Sequence, residues 1–397
     1  MTLLKDIVLI EKGRKYNLLE EFREGAIRVF QANDFRNENK LLYTFDAEGV
    51  LANDDDILLV WDGSVGQMGF GKRGYVGSTM VKLKVKNQKE FSPFFIYKLL
   101  QTKSDYLKRK ATGATIKHIN RKSLEHLEIP EISITEQKKI ADLLSKSENL
   151  ITQRKESIRL LYELLKSTYL EMFGDSMTNR KKWDKIELKY FGKIITGNTP
   201  SRSNAEYYSS NFIEWIKTDN ITIENTYITK SVEYLSETGL HNARTVDNGA
   251  LLVACIAGSI ESVGRAALTN RKVSFNQQIN AIQPNVDMSP LFLYWLFKTS
   301  KKYIQDSASK GMKKILTKGE FENIKMVKPP FILQTKFAQI VEKVEALKTQ
   351  YQSSLKELEN LYGNLSQRAF NGELISKNEK ILMAAEPKVN YLQKSIR

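Results

Sequence analysis

The sequence is poor in the side chains that ordinarily carry chemistry. One cysteine, Cys255, and three histidines, His118, His126 and His241, in 397 residues are too few for a Cys/His zinc cluster. Cys255 lies in the apolar run Leu251–Ala257 and is expected to be a buried strand residue. No apolar run approaches the roughly 20 residues of a membrane span. The opening stretch Leu3–Glu11 is too short and too charged for a signal peptide, so the chain is expected to be cytoplasmic and to make no membrane contact. Acidic residues are the minority: 46 Asp and Glu face 61 Lys and Arg, leaving +15. Such an excess points to a polyanionic partner, nucleic acid first.

No catalytic motif is complete. Gly66–Arg73 nearly spells a phosphate-binding loop, and Gly69, Gly71 and Gly74 have the spacing of the dinucleotide fingerprint. Arg73, however, stands where Ser or Thr must hold magnesium, and Tyr75–Val85 reads as strand where both motifs need a helix. A tight turn is expected there. Asp184 with Glu187 and Lys189 has nuclease-like spacing but reads as a solvated strand edge. No methyltransferase Asn-Pro-Pro-Tyr or Asp-Pro-Pro-Tyr loop is present. Neither a catalytic group, nor a metal, nor a cofactor of its own is expected.

What the chain does have, it has twice. Ser133–Phe173 and Pro330–Phe370 each read as one long amphipathic helix, and they align without a gap at an offset of 197. The first seam runs Ile140, Leu144, Ile151, Ile158, Leu161, Leu165, Met172, in steps of three and four broken by polar Ser147, Arg154 and Thr168. The second runs Phe337, Val341, Val344, Lys348, Tyr351, Leu355, Leu358, Tyr362, Leu365, Ala369, with Val344, Tyr351 and Leu365 at the positions that are polar in the first. Neither seam is complete alone, so the helices are expected to pair. At the same offset Pro93–Leu100 precedes Pro290–Phe297 and Leu127 precedes Ile324; upstream the likeness fades. A period this long marks two copies of a domain, not a solenoid.

Short strand-like runs, Asp56–Trp61 and Met80–Val85, punctuated by glycines, make residues 1–130 a mixed α and β unit. The first long helix is assigned to 131–175, the second unit to 176–327, the second helix to 328–373 and a tail to 374–397. A helix of about 40 residues is about 60 Å long, whereas the link from Asp175 to Trp183 reaches at most about 30 Å. The second helix should therefore run back antiparallel to the first. The fold class is α+β: two globular mixed units and an antiparallel coiled coil, with a pseudo-twofold internal repeat.

The stretch Thr112-Gly113-Ala114-Thr115-Ile116-Lys117-His118-Ile119-Asn120, followed by Leu124, Leu127, Ile129-Pro130 and Glu136-Gln137-Lys138-Lys139-Ile140, resembles the passage from a target recognition domain into a conserved helix in the DNA specificity subunits of type I restriction-modification enzymes. Thr196–Ser201 is similar to the entry into such a domain. The second copy matches more weakly, through Lys310–Ile315 and Gln334, with Leu333 in place of Glu136 and Lys328-Pro329-Pro330 in place of the shorter proline signal. The resemblance spans about residues 1–373. It implies a subunit that is not itself an enzyme: each domain reads half of a bipartite duplex DNA site, and the helices space the halves and dock two adenine-N6 methyltransferase subunits. Restriction subunits join these. S-adenosylmethionine, ATP and magnesium belong to the partners.

Candidate DNA-contacting residues are polar or basic groups beside glycines and turns. They are Arg14, Lys15, Arg36, Lys72, Arg73, Lys117 and Arg121 in the first unit, and Ser201, Arg202, Asn204, Arg265, Asn276, Gln277, Lys313 and Lys314 in the second. Arg suits guanine, Asn and Gln suit adenine, and Lys mostly holds phosphate. Tyr162, Tyr169, Leu170 and Leu347, off the seam, are candidates for the methyltransferase dock or for packing on the adjoining unit. A coiled-coil scaffold with protein-binding ends is the alternative. It predicts no steep fall of duplex affinity with salt.

Overall fold

The computed structural model describes residues 1–35, 40–223, 225–256, 259–307 and 315–370. The described residues divide into two compact units, Met1–Lys155 with the helical stretch 353–370, and Glu156–Gln352. Each unit thus contains a globular part and half of each long helix. Ile134–Phe173 and Phe331–Phe370 are both continuous helices of 40 residues.

The globular parts have the same topology. In the first unit, an antiparallel sheet orders Val8–Lys12, Met80–Val85, Ile57–Val60, Met68–Phe70. A second sheet orders Leu42–Thr44, Ile27–Phe30, Gly74–Val76, Leu51–Ala52, with its central pair parallel. In the second unit the corresponding orders are Gly192–Thr196, Ile279–Pro284, Leu251–Ala254, Ala266–Leu268, and Tyr234–Leu235, Ile213–Ile216, Val273–Phe275, Thr245–Val246, the central pair again parallel. Strands follow Gly66 and Gly71, which take the positive φ of turns, so the glycine-rich stretch is a turn between strands. Cys255 is buried but lies one residue beyond the strand Leu251–Ala254 rather than in it, and burial pushes its thiol up to about 12.

The long helices join these cores by the same device in each unit. Ser92 and Ser289 cap the short helices Pro93–Thr102 and Pro290–Thr299, with proline in the first turn. The Ser92 N–H donates to Gln137 Oε1 at 2.8 Å, and the Ser289 N–H to Gln334 Oε1 at 3.0 Å. Both glutamines are fully buried. Their amide nitrogens donate to Ile132 and Glu90 carbonyls in one case and to the Pro329 carbonyl in the other. Helix entry differs between the copies: a Ser133–Glu136 capping box begins the first, whereas Pro329-Pro330 precedes the second.

The helices pair antiparallel. In the first unit Tyr362 Oη donates to Glu148 at 2.7 Å, Lys155 pairs with Glu359 at 2.8 Å, and Ile140, Ala141 and Leu144 share a core with Ala369. In the second, Tyr169 and Phe173 meet Phe337 ring to ring at 5.5 Å, and Leu161 and Leu165 share a core with Val341 and Val344. Of the expected seam, Ile140, Leu144, Leu161, Leu165, Phe337, Val341 and Val344 are buried, while Ile151, Ile158, Tyr351, Leu355, Leu358 and Tyr362 are half-buried. Tyr169 follows the second of its two expected readings, packing on the adjoining unit rather than docking a partner. It is 0 % exposed, packed among Phe173, Phe292 and Phe337, because the short helix Pro290–Thr299 and the partner long helix both cover it. Tyr162 likewise stacks on Trp295 at 5.7 Å beneath Lys298, although it stays partly exposed; Leu170 and Leu347 remain open to solvent.

Candidate nucleic-acid interface

At one end of the main sheet in each unit, five segments meet through backbone hydrogen bonds. In the first unit Gly13 N donates to Met80 O, Arg14 N to Val76 O, Gly77 N to Phe30 O and Ile119 N to Trp61 O. In the second, Gly197 N donates to Ile279 O, Asn198 N to Phe275 O, Asn276 N to Ile216 O and Leu316 N to Cys255 O. The lacing is the same, and the side chains it presents differ: Arg14 corresponds to Asn198, Gly77 to Asn276 and His118 to Ile315. Glycine leads each rim because the strands approach too closely for a side chain. A Cβ on Gly13 would lie 2.2 Å from Gly77 O, and on Gly197 2.2 Å from Asn276 O.

In the first unit the rim gathers a charge cluster. The segment Thr112–His118 closes on itself through paired backbone bonds of 2.9 and 2.7 Å, and Gly63 N is bound by Lys117 O. Gly113 has φ +102°, where a side chain would also strike Ile116 O. The closure sets His118 Nδ1 2.7 Å and Lys12 Nζ 3.0 Å from the Asp62 carboxylate. Burial pushes that carboxyl up, but the hydrogen bonds from His118 and Lys12 win and hold it below its usual range. Arg14, Lys15 and Lys117 are exposed on or next to this rim. Lys72 and Arg73 are elsewhere: they follow Phe70, which pairs with Ile57, whereas the rim lies beyond Val60 at the other end of that strand. Arg121 donates to Glu125 along its own helix at 2.7 Å. Arg36, Lys313 and Lys314 fall outside the described residues.

In the second unit the rim supports the loop Gly197–Asn204. Asn198 Nδ2 donates to Asn242 O, its Oδ1 accepts from Arg244 N, and Arg244 Nη1 donates to Thr196 O at 2.8 Å. Thr199 hydrogen-bonds the exposed Gln277. Asn276 is 5 % exposed and spends its amide on Gln278, which makes it part of the rim's framework. Asn204 caps the short turn Ala205–Tyr208, Ser201 bonds Ser203, and Arg265 folds onto Ser262 in a separate loop. Arg202 lies over two rings, Tyr208 at 4.5 Å and Trp215 at 4.9 Å, beside Glu233 and Lys217. Lys12, Asp62, Tyr208, Trp215, Lys217, Glu233 and Arg244 were not among the sequence candidates. Their partners lie up to 56 residues away, beyond any local pattern.

Among the described residues no group of three or more His, Cys, Asp or Glu is placed to hold a metal ion, and no helix is long and apolar enough to cross a membrane.

The family model of the type I restriction modification DNA specificity domain matches residues 2–160 and again 180–360. The specificity subunit of the MjaVIII type I restriction enzyme of Methanocaldococcus jannaschii is 29 % identical over 232 residues, 54 % of this chain and 53 % of that protein. The HindI specificity subunit of Haemophilus influenzae is 31 % identical over 201 residues, 48 % and 42 % of the two chains. The chain thus matches about half the length of these relatives. In fold it is similar to the S subunit of a type I restriction-modification system from M. genitalium, with a TM-score of 0.59, 18 % identity, and 93 % and 95 % of the two chains covered.

Proposed function

This chain belongs to the type I restriction-modification DNA specificity family, and from that premise we propose that each of its units reads one half of a bipartite duplex DNA site. The observation that carries this is the rim built twice, with one backbone lacing and two sets of side chains. A protein that must present two different readers on one frame needs that combination. The charge of +15 supplies the sequence-independent hold on phosphates, and the divergent rim residues supply the base contacts. The chain is the non-catalytic member of the complex. Its long helices dock two adenine-N6 methyltransferase subunits and set the spacing of the half-sites; S-adenosylmethionine is bound by those subunits, and ATP and magnesium are used by restriction subunits. The outward leucines Leu150, Leu160, Leu164, Leu170, Leu347 and Leu361, each at least 36 % exposed on the two helices, support a protein-covered surface there.

The test is an exchange of residues 183–327 for the equivalent unit of a relative. The graft has adjoining ends, since Lys185–Glu187 pairs antiparallel with Lys325–Val327. Sequencing of methylated adenines from cells carrying the hybrid and its methyltransferase partner should show one half of the site changed and the other kept. Both halves altered, or neither, refutes the modular reading.

A further inference from the structure

The environment of Arg202 is more elaborate than a surface arginine requires. Its two rings are tied to the loop that carries it: Tyr208 Oη donates to Pro200 O at 2.7 Å and Trp215 Nε1 to Asn198 O at 3.2 Å. Trp215 is itself buried, in a small core with Ile213 and Leu235. Nη2 of Arg202 meets Glu233 Oε2 at 2.5 Å, and the other carboxylate oxygen of Glu233 takes Lys217, whose ammonium lies 5.3 Å from the Trp215 ring centre. Burial pushes the Glu233 carboxyl up, yet Lys217 and Arg202 together hold it below its usual range. The guanidinium side chain is still 53 % exposed. Of its five N–H groups, those on Nε and Nη1 have no hydrogen-bond partner among the described residues.

A contact to phosphate needs charge and little direction, and Lys217 would serve it as well. Two rings and a carboxylate add direction instead, and the carboxylate subtracts charge. That combination suits a planar fork aimed at a base edge, and the base whose edge offers two acceptors to such a fork is guanine. We propose that Arg202 is a specificity-determining residue that reads a guanine in the half-site of the second unit, with Glu233 as the positioning residue that orients it. The proposal rests on the reading of this unit as a DNA-recognition unit and names the base and the side chain.

The experiment uses the full chain with its methyltransferase partner and a duplex library randomised over the second half-site, comparing wild type with Arg202→Ala, Arg202→Lys and Glu233→Gln. Wild type should require guanine at one position of that half. Arg202→Ala and Arg202→Lys should both relax that position by roughly 5- to 150-fold and leave the first half-site untouched, because lysine keeps the charge but loses the fork. Glu233→Gln should weaken discrimination at the same position while tightening binding to random duplex, since a negative charge is lost. If Arg202→Ala weakens all bases alike, Arg202 is a phosphate contact and the proposal is overturned; if Arg202→Lys retains full discrimination, the position does not depend on the planar fork, which overturns it as well. A wild-type complex with no bipartite preference overturns the functional reading and this assignment together. A bipartite preference that both Arg202 variants leave intact overturns this assignment only.

Discussion

Glu148→Ala should destabilise the first unit far more than a helix-surface glutamate would. Glu148 binds Lys98 of the short helix Pro93–Thr102 and accepts the Tyr362 hydroxyl from the second long helix, so one carboxylate joins three helices. The Lys98 side chain is 7 % exposed, the Glu148 side chain 30 %. Removing the carboxylate strands an ammonium whose remaining neighbours include the rings of Phe94 and Tyr97 at 5.3 and 5.4 Å. Breaking a buried pair costs about 3–5 kcal/mol; the two rings return about 1 kcal/mol, and the open side of Glu148 admits water. The net expectation is about 2–3 kcal/mol, or roughly 4–12 °C in the melting of a unit of this size. Hydrogen exchange followed by mass spectrometry should place the loosening in Pro93–Thr102 and the helix after Ser353, and leave Pro290–Thr299 protected. Lys98→Met with Glu148→Leu, which removes both charges, should return to within about 1 kcal/mol of wild type. A single variant that melts like wild type, or a double variant as unstable as the single, refutes the buried-pair argument.

The other expectations follow from burial and charge. Tyr169→Ala, which empties a site bounded by Phe173, Phe292 and Phe337, should cost about 3–5 kcal/mol; Ile158→Asp, at a half-buried position, should cost less, and Glu156→Ala, which breaks an exposed pair with Arg159, least of the three. Thermal melts that reverse this order would remove Tyr169 from the core. Glu214 is held below its usual range because Arg271 and the Ser231 N–H outweigh the burial that pushes it up. A depressed carboxyl stabilises the fold above its unfolded pKa, and the contribution fades as pH falls through the folded value. Glu214→Gln should therefore cost about 2 kcal/mol at pH 7 and progressively less as pH falls through the depressed range of the folded carboxyl; a pH-independent difference would contradict the assignment. Inserting four residues between Glu171 and Asp175, up to about 6 Å if helical, should lengthen the unread spacer by one or two base pairs and keep the half-site sequences, which methylated-adenine sequencing reads directly.

The repeat was legible because packing constrains it at spacings a sequence displays. The offset of 197 that relates Gln137 to Gln334 also relates Ser92 to Ser289, and the structure shows why these positions keep their identity: each glutamine satisfies a backbone N–H at a buried helix start. Seam residues were legible wherever the heptad-like rhythm coincided with a second layer, as at Leu144, Leu165 and Val341, all buried in the unit cores. Where a helix has only its partner helix to cover it, burial is partial, and Ile151 and Ile158 belong to neither of those cores. Tyr169 escaped the rhythm for the converse reason, since its cover includes a third helix that a two-helix pattern does not count.

The two rims proposed to read DNA were less legible, and the cause lies in what a repeat conserves. Backbone lacing leaves a trace only where it excludes side chains, as at Gly13 and Gly197, so in the sequence a rim is marked by little more than a glycine beside a polar loop. Which side chains act there depends on partners that sequence distance hides: Asp62 meets His118, and Arg202 meets Trp215 and Glu233. The framework itself shows the same freedom one layer down. At the offset of 197, Lys98 becomes Trp295, while Glu148 remains acidic as Glu345. The first copy spends that carboxylate on Lys98 and Tyr362; the second spends it on the Thr226 hydroxyl at 2.9 Å and on Lys348. A duplicated frame can keep a polar anchor while exchanging its partner because the anchor needs only one good hydrogen bond to offset its burial. The rims, open to solvent, need not even that. Their side chains are therefore free to diverge at almost no cost to folding, which is the physical condition that the proposed pair of unlike readers requires.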